Sequence, residues 1–173
     1  IKDLFNIPNF LCYFRIILVP IFLHRYFLAS CKEDYYLCAF ILILSGLSDF
    51  LDGYIARHYH MVTDFGKVID PIADKLTQFT VAVVLIYTYS WMWLLLGIIV
   101  IKDGMLALGG FYLYEKGAQV KGASWWGKIS TAIFDIVAII LVGIHIPDSP
   151  ISTIMIIAVS YTHLRAHETE LHL

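Results

Sequence analysis

Charge is what this sequence has least of. Of its 173 residues only 15% are Asp, Glu, Lys or Arg, against 60% hydrophobic, and the mean hydropathy is +0.76. So little charge cannot cover a water-facing surface, which excludes an ordinary soluble domain and implies an integral membrane protein. A basic excess is also lacking. The net charge of −2 and a pI of about 6.4 leave no electrostatic footprint for nucleic acid. Cysteine is scarce and odd in number. Cys12, Cys31 and Cys38 lie in or beside apolar runs and read as small core hydrophobes, not as a disulfide framework or a metal site. No small-residue cleavage site follows the first apolar run, so a span is expected there rather than a signal peptide. The chain opens on Ile1 and not Met, so a native start upstream is expected. One domain is expected at this length.

Against that background the few acids stand out. Asp49-Phe-Leu-Asp52-Gly53-Tyr-Ile-Ala56-Arg57 is followed by eight residues and then by Gly66-Lys-Val-Ile-Asp70-Pro-Ile-Ala-Asp74. Asp49 and Asp52 are three apart, Asp70 and Asp74 four apart, so each pair shares one face of a helix. Two helices meeting here would gather four carboxylates between long apolar runs. Each buried acid costs roughly 2.5–3.5 kcal/mol on insertion scales. Something positive must offset them, and hard divalent cations with oxygen ligands suit the task.

The pattern D-x2-D-G-x2-A-R-x8-G-x3-D-x3-D resembles the signature of the CDP-alcohol phosphotransferases, with all eight fixed positions present at the family's separations. The resemblance implies an enzyme that joins a CDP-linked lipid to an alcohol and releases CMP. It implies that Asp49, Asp52, Asp70 and Asp74 hold two Mg²⁺ or Mn²⁺ ions, which in two-metal sites sit about 3.5–4 Å apart. It places the CDP-lipid against Asp52, Gly53, Ala56, Arg57 and Gly66, with Thr63 a weaker candidate, and makes Asp74 the base that takes the acceptor's proton. The residue types fit. Gly53 and Ala56 lie one turn apart and lack bulk, so a ligand can approach the backbone. Arg57 carries a fork matched to phosphate oxygens.

The opening Asn6-Ile-Pro8-Asn9 followed by Arg15, and Pro71-Ile-Ala-Asp74-Lys75, resemble the phosphatidylglycerophosphate synthase branch, as does Ala123-Ser124-Trp-Trp-Gly127-Lys128-Ile-Ser130-Thr131. That branch often carries another Lys where Ser130 stands, and here the chain departs from it. The resemblance implies CDP-diacylglycerol and sn-glycerol 3-phosphate as substrates, with Lys102, Lys128 and Thr131 as acceptor-binding candidates. A mid-span lysine such as Lys102 points to function. Lys128 reads equally as a membrane-boundary lysine. The family is commonly a homodimer.

The fold class expected is all-α, a membrane bundle of six transmembrane helices. The spans are placed at about 10–29, 35–57, 66–89, 91–114, 129–146 and from 151 onward. Pro8 suits a first helical turn with Asn6 or Asn9 as cap, and Pro71 falls early in the third helix, where a missing amide proton costs little. Arg25 lies near a span end and can snorkel, whereas Arg15 lies deeper and needs a partner or a wet cavity. No charge occurs from Leu76 through Ile101, too long a run for one span of about twenty residues, so Ser90 with Trp91 and Trp93 marks an interfacial turn. His58 and His60 are expected at headgroup level, and the aromatics mostly face lipid or the interface.

With the N-terminus inside, Lys2, Arg57, Lys67, Lys116, Lys121 and Lys128 lie in the cytosol against Arg25 and Lys32 outside. This bias turns the acids to the cytosol, in what the resemblance makes a bacterial cytoplasmic membrane. The sixth span is cut short. From Val159 the string Val-Ser-Tyr-Thr-His-Leu-Arg-Ala-His-Glu-Thr resembles an in-frame translation of a transposase sequencing adapter. Residues 1–158 are therefore taken as the membrane domain and 159–173 as a non-native tail, which removes His163, His167 and His172 from site reasoning.

Three competing readings remain at the level of sequence. The same chemistry with phosphatidylglycerol as acceptor would make a cardiolipin synthase. A cation or proton transporter would also place acids in a membrane, but Gly53, Ala56, Arg57 and Gly66 at fixed spacing oppose it, because a relay needs no phosphate-binding arginine. A metal-binding structural subunit without activity is the third, but all four acids are intact, so nothing in the sequence supports loss of catalysis.

Overall fold

A computed structural model describes residues 6–59, 63, 65–115, 125–147 and 149–171. Six helices follow one another: α1 (Ile7–Leu28), α2 (Lys32–His58), α3 (Gly66–Ile86), α4 (Met92–Glu115), α5 (Trp125–Ile144) and α6 (Pro150–Leu171). The described residues contain no strand. The expected all-α class holds, and α1 and residues 32–56 of α2 are long and apolar enough to cross a membrane.

The chain divides into two compact units. The first comprises residues 1–84 and 138–145, the second residues 85–137 and 146–173. The acid motif lies wholly in the first.

In the first unit α1 packs along α2. The buried face of α1 carries Asn9, Cys12, Arg15, Leu18, Val19, Phe22 and Tyr26. This is a stripe at three- and four-residue spacing. Its first three members are polar or small and the rest apolar, so one helix supplies both the wall of a polar site and a dry core below it. The opposite face presents Phe10, Ile17, Ile21 and Phe27, and α2 presents Phe40, Ile43, Leu47 and Phe50. A water-facing helix would not carry such rows of large apolar side chains, whereas hydrocarbon accepts them.

Local signals explain the helix ends. Asn6 is the residue flanking α1, with Pro8 in the first turn. Asn9, the other cap candidate, is instead inside the helix and buried. At the start of α2 the Asp34 carboxylate accepts the amides of Ser30 at 2.9 Å and Cys31 at 3.2 Å, the reach-back half of a capping box. Cys31 is therefore an exposed cap and not a core hydrophobe, while Cys12 and Cys38 are buried. Pro71 is the sixth residue of α3, early in the helix as expected, and there the Lys67 carbonyl lacks its helical donor. Near the end of α5, a Cβ on Gly143 would come within 3.3 Å of the Ala39 Cβ of α2, so two small residues set that contact.

In the second unit α4 packs with α6. The turn expected at Ser90 and Trp91 is present between α3 and α4. α5 begins at Trp125, earlier than the expected 129, and α6 continues to Leu171, through the adapter-like string. Val159, Ser160 and His163 are buried on it, and the His163 ring meets Phe134 edge-on at 6.1 Å.

Candidate active site

Three helices bring the site together. α1 supplies Asn9, Cys12 and Arg15, one per turn on a single face. α2 supplies Asp49 and Asp52 on consecutive turns, and α3 supplies Asp70 and Asp74 in the same way. The i, i+3 and i, i+4 spacings read from the sequence are therefore realised as one convergent cluster.

Arg15 is its centre. The residue is 2% exposed. Its Nη1 donates to Asp49 Oδ1 at 2.6 Å and to Asp74 Oδ1, and its Nη2 lies 3.4 Å from Asp52 Oδ2. One guanidinium thus ties α1 to both acid-bearing helices. Arginine suits this because its planar fork offers several donors in fixed directions. The partner or wet cavity that the depth of Arg15 demanded turns out to be the acid cluster itself.

One turn earlier, the Cys12 thiol lies 3.3 Å from Asp52 Oδ2 and also donates to Asp70 Oδ1. This corrects the reading of Cys12 as a mere core filler. The ligand atoms of Cys12, Asp52 and Asp70 all lie within 4.8 Å of one another, a set able to hold a metal ion. The cluster gathers four carboxylates and one guanidinium, so it keeps a formal excess of three negative charges. In a low-dielectric setting that excess draws cations. Oxygen-rich, negatively charged and gathered from two helices, the donor set fits hard divalent ions. Asp52 is almost wholly buried, whereas the side chains of Asp49 and Asp74 are about half exposed, at 50% and 43%. The cluster is therefore more open at Asp49 and Asp74 than at Asp52.

One further turn up α1, the Asn9 Nδ2 donates to Thr63 Oγ1 at 3.3 Å, and that oxygen also accepts the Gly66 amide at 3.0 Å. Thr63 thereby caps the start of α3. A Cβ on Gly66 would meet Asn9 Oδ1 at 2.8 Å and Thr63 Oγ1 at 3.0 Å. Among the described contacts, the motif glycine is therefore a close-packing residue that lets α3 begin against α1. Tyr13 and Phe65 add a tilted ring contact at 6.4 Å across the same junction.

Gly53 and Ala56 continue α2 beyond Asp52, both half-buried. Arg57 follows on the same helix, with its side chain outside the described residues. Thr131 is half-buried on α5, in the second unit. The Lys102 and Lys128 side chains also lie outside the described residues. Conversely, the sequence reading missed Asn9 and Cys12. The signal available was their three-residue spacing with Arg15, which sets all three on one face of α1.

A model of the CDP-alcohol phosphatidyltransferase family matches residues 5–164. A Haemophilus influenzae protein named CDP-diacylglycerol–glycerol-3-phosphate 3-phosphatidyltransferase is 33% identical over 130 residues, 73% of this chain and 70% of that protein. A Pectobacterium atrosepticum protein of the same name is 34% identical over 132 residues, covering 73% and 71%. One from Rickettsia felis is 44% identical over 71 residues, covering 41% and 39%.

Proposed function

The chain belongs to the CDP-alcohol phosphatidyltransferase family, and from that premise we propose that it transfers the phosphatidyl group of CDP-diacylglycerol to sn-glycerol 3-phosphate. It is an enzyme of phospholipid biosynthesis. The products are phosphatidylglycerophosphate and CMP. The observation that carries the chemistry is the convergence of Asp49, Asp52, Asp70 and Asp74 around α1. The names and coverage of the bacterial relatives support the choice of substrates.

In the reaction, a hydroxyl oxygen of glycerol 3-phosphate forms a bond to the phosphatidyl phosphorus. The bond from that phosphorus to the bridging oxygen breaks, and CMP leaves. The acceptor's proton goes to Asp74, whose partly exposed carboxylate stands where a soluble alcohol can enter. Asp52, Gly53, Ala56 and Arg57 line the approach of the CDP moiety, with Arg57 set to bind phosphate oxygens. Thr63 and Gly66 hold the start of α3, and so the position of Asp70 and Asp74. Two Mg²⁺ or Mn²⁺ ions, held by Asp49, Asp52, Asp70 and Asp74, would supply the positive charge that the pyrophosphate linkage and the departing CMP require. Lys102, Lys128 and Thr131 are the proposed contacts for the acceptor phosphate.

The first five helices, of 20–27 residues each, are proposed to cross the membrane, since about twenty apolar residues span hydrocarbon, and the apolar start of α6 is proposed as a sixth, truncated span. The Lys and Arg bias supports a cytosol-facing site in a bacterial cytoplasmic membrane. Residues 159–173 are assigned as a non-native string following the membrane domain of 1–158.

The test of the metal requirement is CMP release from CDP-diacylglycerol before and after chelation. Excess chelator abolishes release, and added Mg²⁺ or Mn²⁺ restores it. Full turnover in excess chelator would remove the two-metal mechanism.

A further inference from the structure

The four acids are not equivalent in what already holds them. At one end, Asp52 and Asp70 converge on the Cys12 thiol, and the three donor atoms lie within 4.8 Å of one another. At the other end, Asp49 Oδ1 and Asp74 Oδ1 share a single hydrogen-bond donor, Arg15 Nη1. That nitrogen bridges α2 to α3 where a cation shared by Asp49 and Asp74 would bridge them.

We propose that Arg15 is the resident counter-cation of the Asp49–Asp74 end, and that it sets the order of metal loading. A first divalent ion enters at Asp52 and Asp70, and a second enters at Asp49 and Asp74 only as Arg15 gives up its two oxygens.

Three features carry this. Arg15 is almost completely buried on α1, so its charge cannot retreat into water. A guanidinium stays protonated at any working pH, so it cannot leave by neutralising itself. A cation between Asp49 and Asp74 would sit within a few ångströms of it, and like charges that close repel strongly in a poorly solvated site. Arg15 and the second ion therefore compete for the same pair of carboxylates. Asp70 has no described contact with Arg15, and the nearest guanidinium nitrogen to Asp52 is the longer one at 3.4 Å. The first ion thus meets less competition.

The inference rests on the proposal that these acids bind divalent ions, and its test separates the two. The full chain, purified in lipid nanodiscs and stripped with chelator, is titrated with Mn²⁺ and followed by calorimetry and by the loss of free-ion spin resonance. Wild type should show two classes of site. Arg15→Gln removes the competing charge and should tighten the weaker class about tenfold to a hundredfold, the scale of the charge-assisted bonds removed, while the stronger class hardly moves. Arg15→Lys keeps a charge but loses the fork, so it should shift the weaker class in the same direction by less. This variant decides the matter if Arg15→Gln does not fold. Asp70→Asn should erase the stronger class. An unchanged or weakened second site in the arginine variants overturns the role of Arg15 and leaves the metal reading in place. Absence of any Mn²⁺ binding by wild type overturns both.

Discussion

Asp74 and Gly66 show how two residues of one motif act by different means. Asp74 is the proposed base. Asp74→Asn keeps the size of the side chain and removes the base, so turnover should fall about 10²–10⁴-fold. Binding of CDP-diacylglycerol should fall much less. CMP release at saturating substrates, beside a separate measure of lipid-nucleotide binding, checks this, and near-normal turnover would reassign the base. Gly66 carries packing. Gly66→Ala forces a methyl group against Asn9 Oδ1 at 2.8 Å, which should cost about 1–3 kcal/mol. Thermal unfolding reads the loss. In an Asn9→Ala background the tighter obstruction is removed and only Thr63 Oγ1 at 3.0 Å remains, so the same substitution should cost clearly less, the coupling expected of residues in contact. The acids were legible in the sequence because carboxylates at helical spacing between apolar runs are costly to bury unless they bind something positive. Asn9 and Cys12 were not, because asparagine near a helix start reads as a cap and cysteine in an apolar run reads as filler. Only the fold reveals that both face the site.

Among the elements, the helices could be placed to within a few residues because long uncharged runs broken by polar turns leave little freedom. The errors fall where that signal fades. α5 begins at Trp125, inside a stretch whose Trp, Gly and Lys suit an interface as well as a helix. α6 runs on through polar residues to Leu171, since helical hydrogen bonding does not need an apolar sequence. The C-terminal end of α5 adds a feature no periodicity foretells. His145 takes a positive φ of 43° just past the helix. Its ring stacks on Tyr35 of α2 at 3.6 Å and meets Tyr26 of α1 edge-on at 6.2 Å. Burial there holds its pKa below the ordinary 6.5. Below 6.5 the unfolded chain takes up a proton that the folded chain resists, so folding is penalised as pH falls, and the penalty is absent above that value. His145→Phe keeps a stacking ring without the titration. The loss of melting temperature between pH 7.5 and pH 5.5 should be smaller in this variant than in wild type, and an equal loss would show that His145 is not what senses pH.

For the molecule as a whole, the membrane class follows from composition and the chemistry from one motif, whereas the proposed acceptor contacts are residues far apart in the chain. Glycerol 3-phosphate brings a doubly charged phosphate to a cluster that is already acidic, so it needs cations of its own. Lys102→Ala or Lys128→Ala should raise its KM about tenfold to a hundredfold, the scale of one charge-assisted contact. The KM for CDP-diacylglycerol should hardly change. Saturation curves for both substrates decide this, and unchanged glycerol 3-phosphate curves in both variants would remove these lysines from the acceptor site. The sequence could nominate them because lysine within an apolar helix is costly, but it could not bring them together, since sequence spacing orders residues only within one helix.

The central claim, phosphatidyl transfer to glycerol 3-phosphate at the Asp49–Asp74 cluster, is tested most directly by CMP release. The purified chain is supplied with CDP-diacylglycerol and Mg²⁺, and with glycerol 3-phosphate, phosphatidylglycerol, glycerol, serine or inositol in turn. Release of CMP with glycerol 3-phosphate alone, matched mole for mole by phosphatidylglycerophosphate and lost on chelation, is the predicted result. Release with phosphatidylglycerol and none with glycerol 3-phosphate would contradict it.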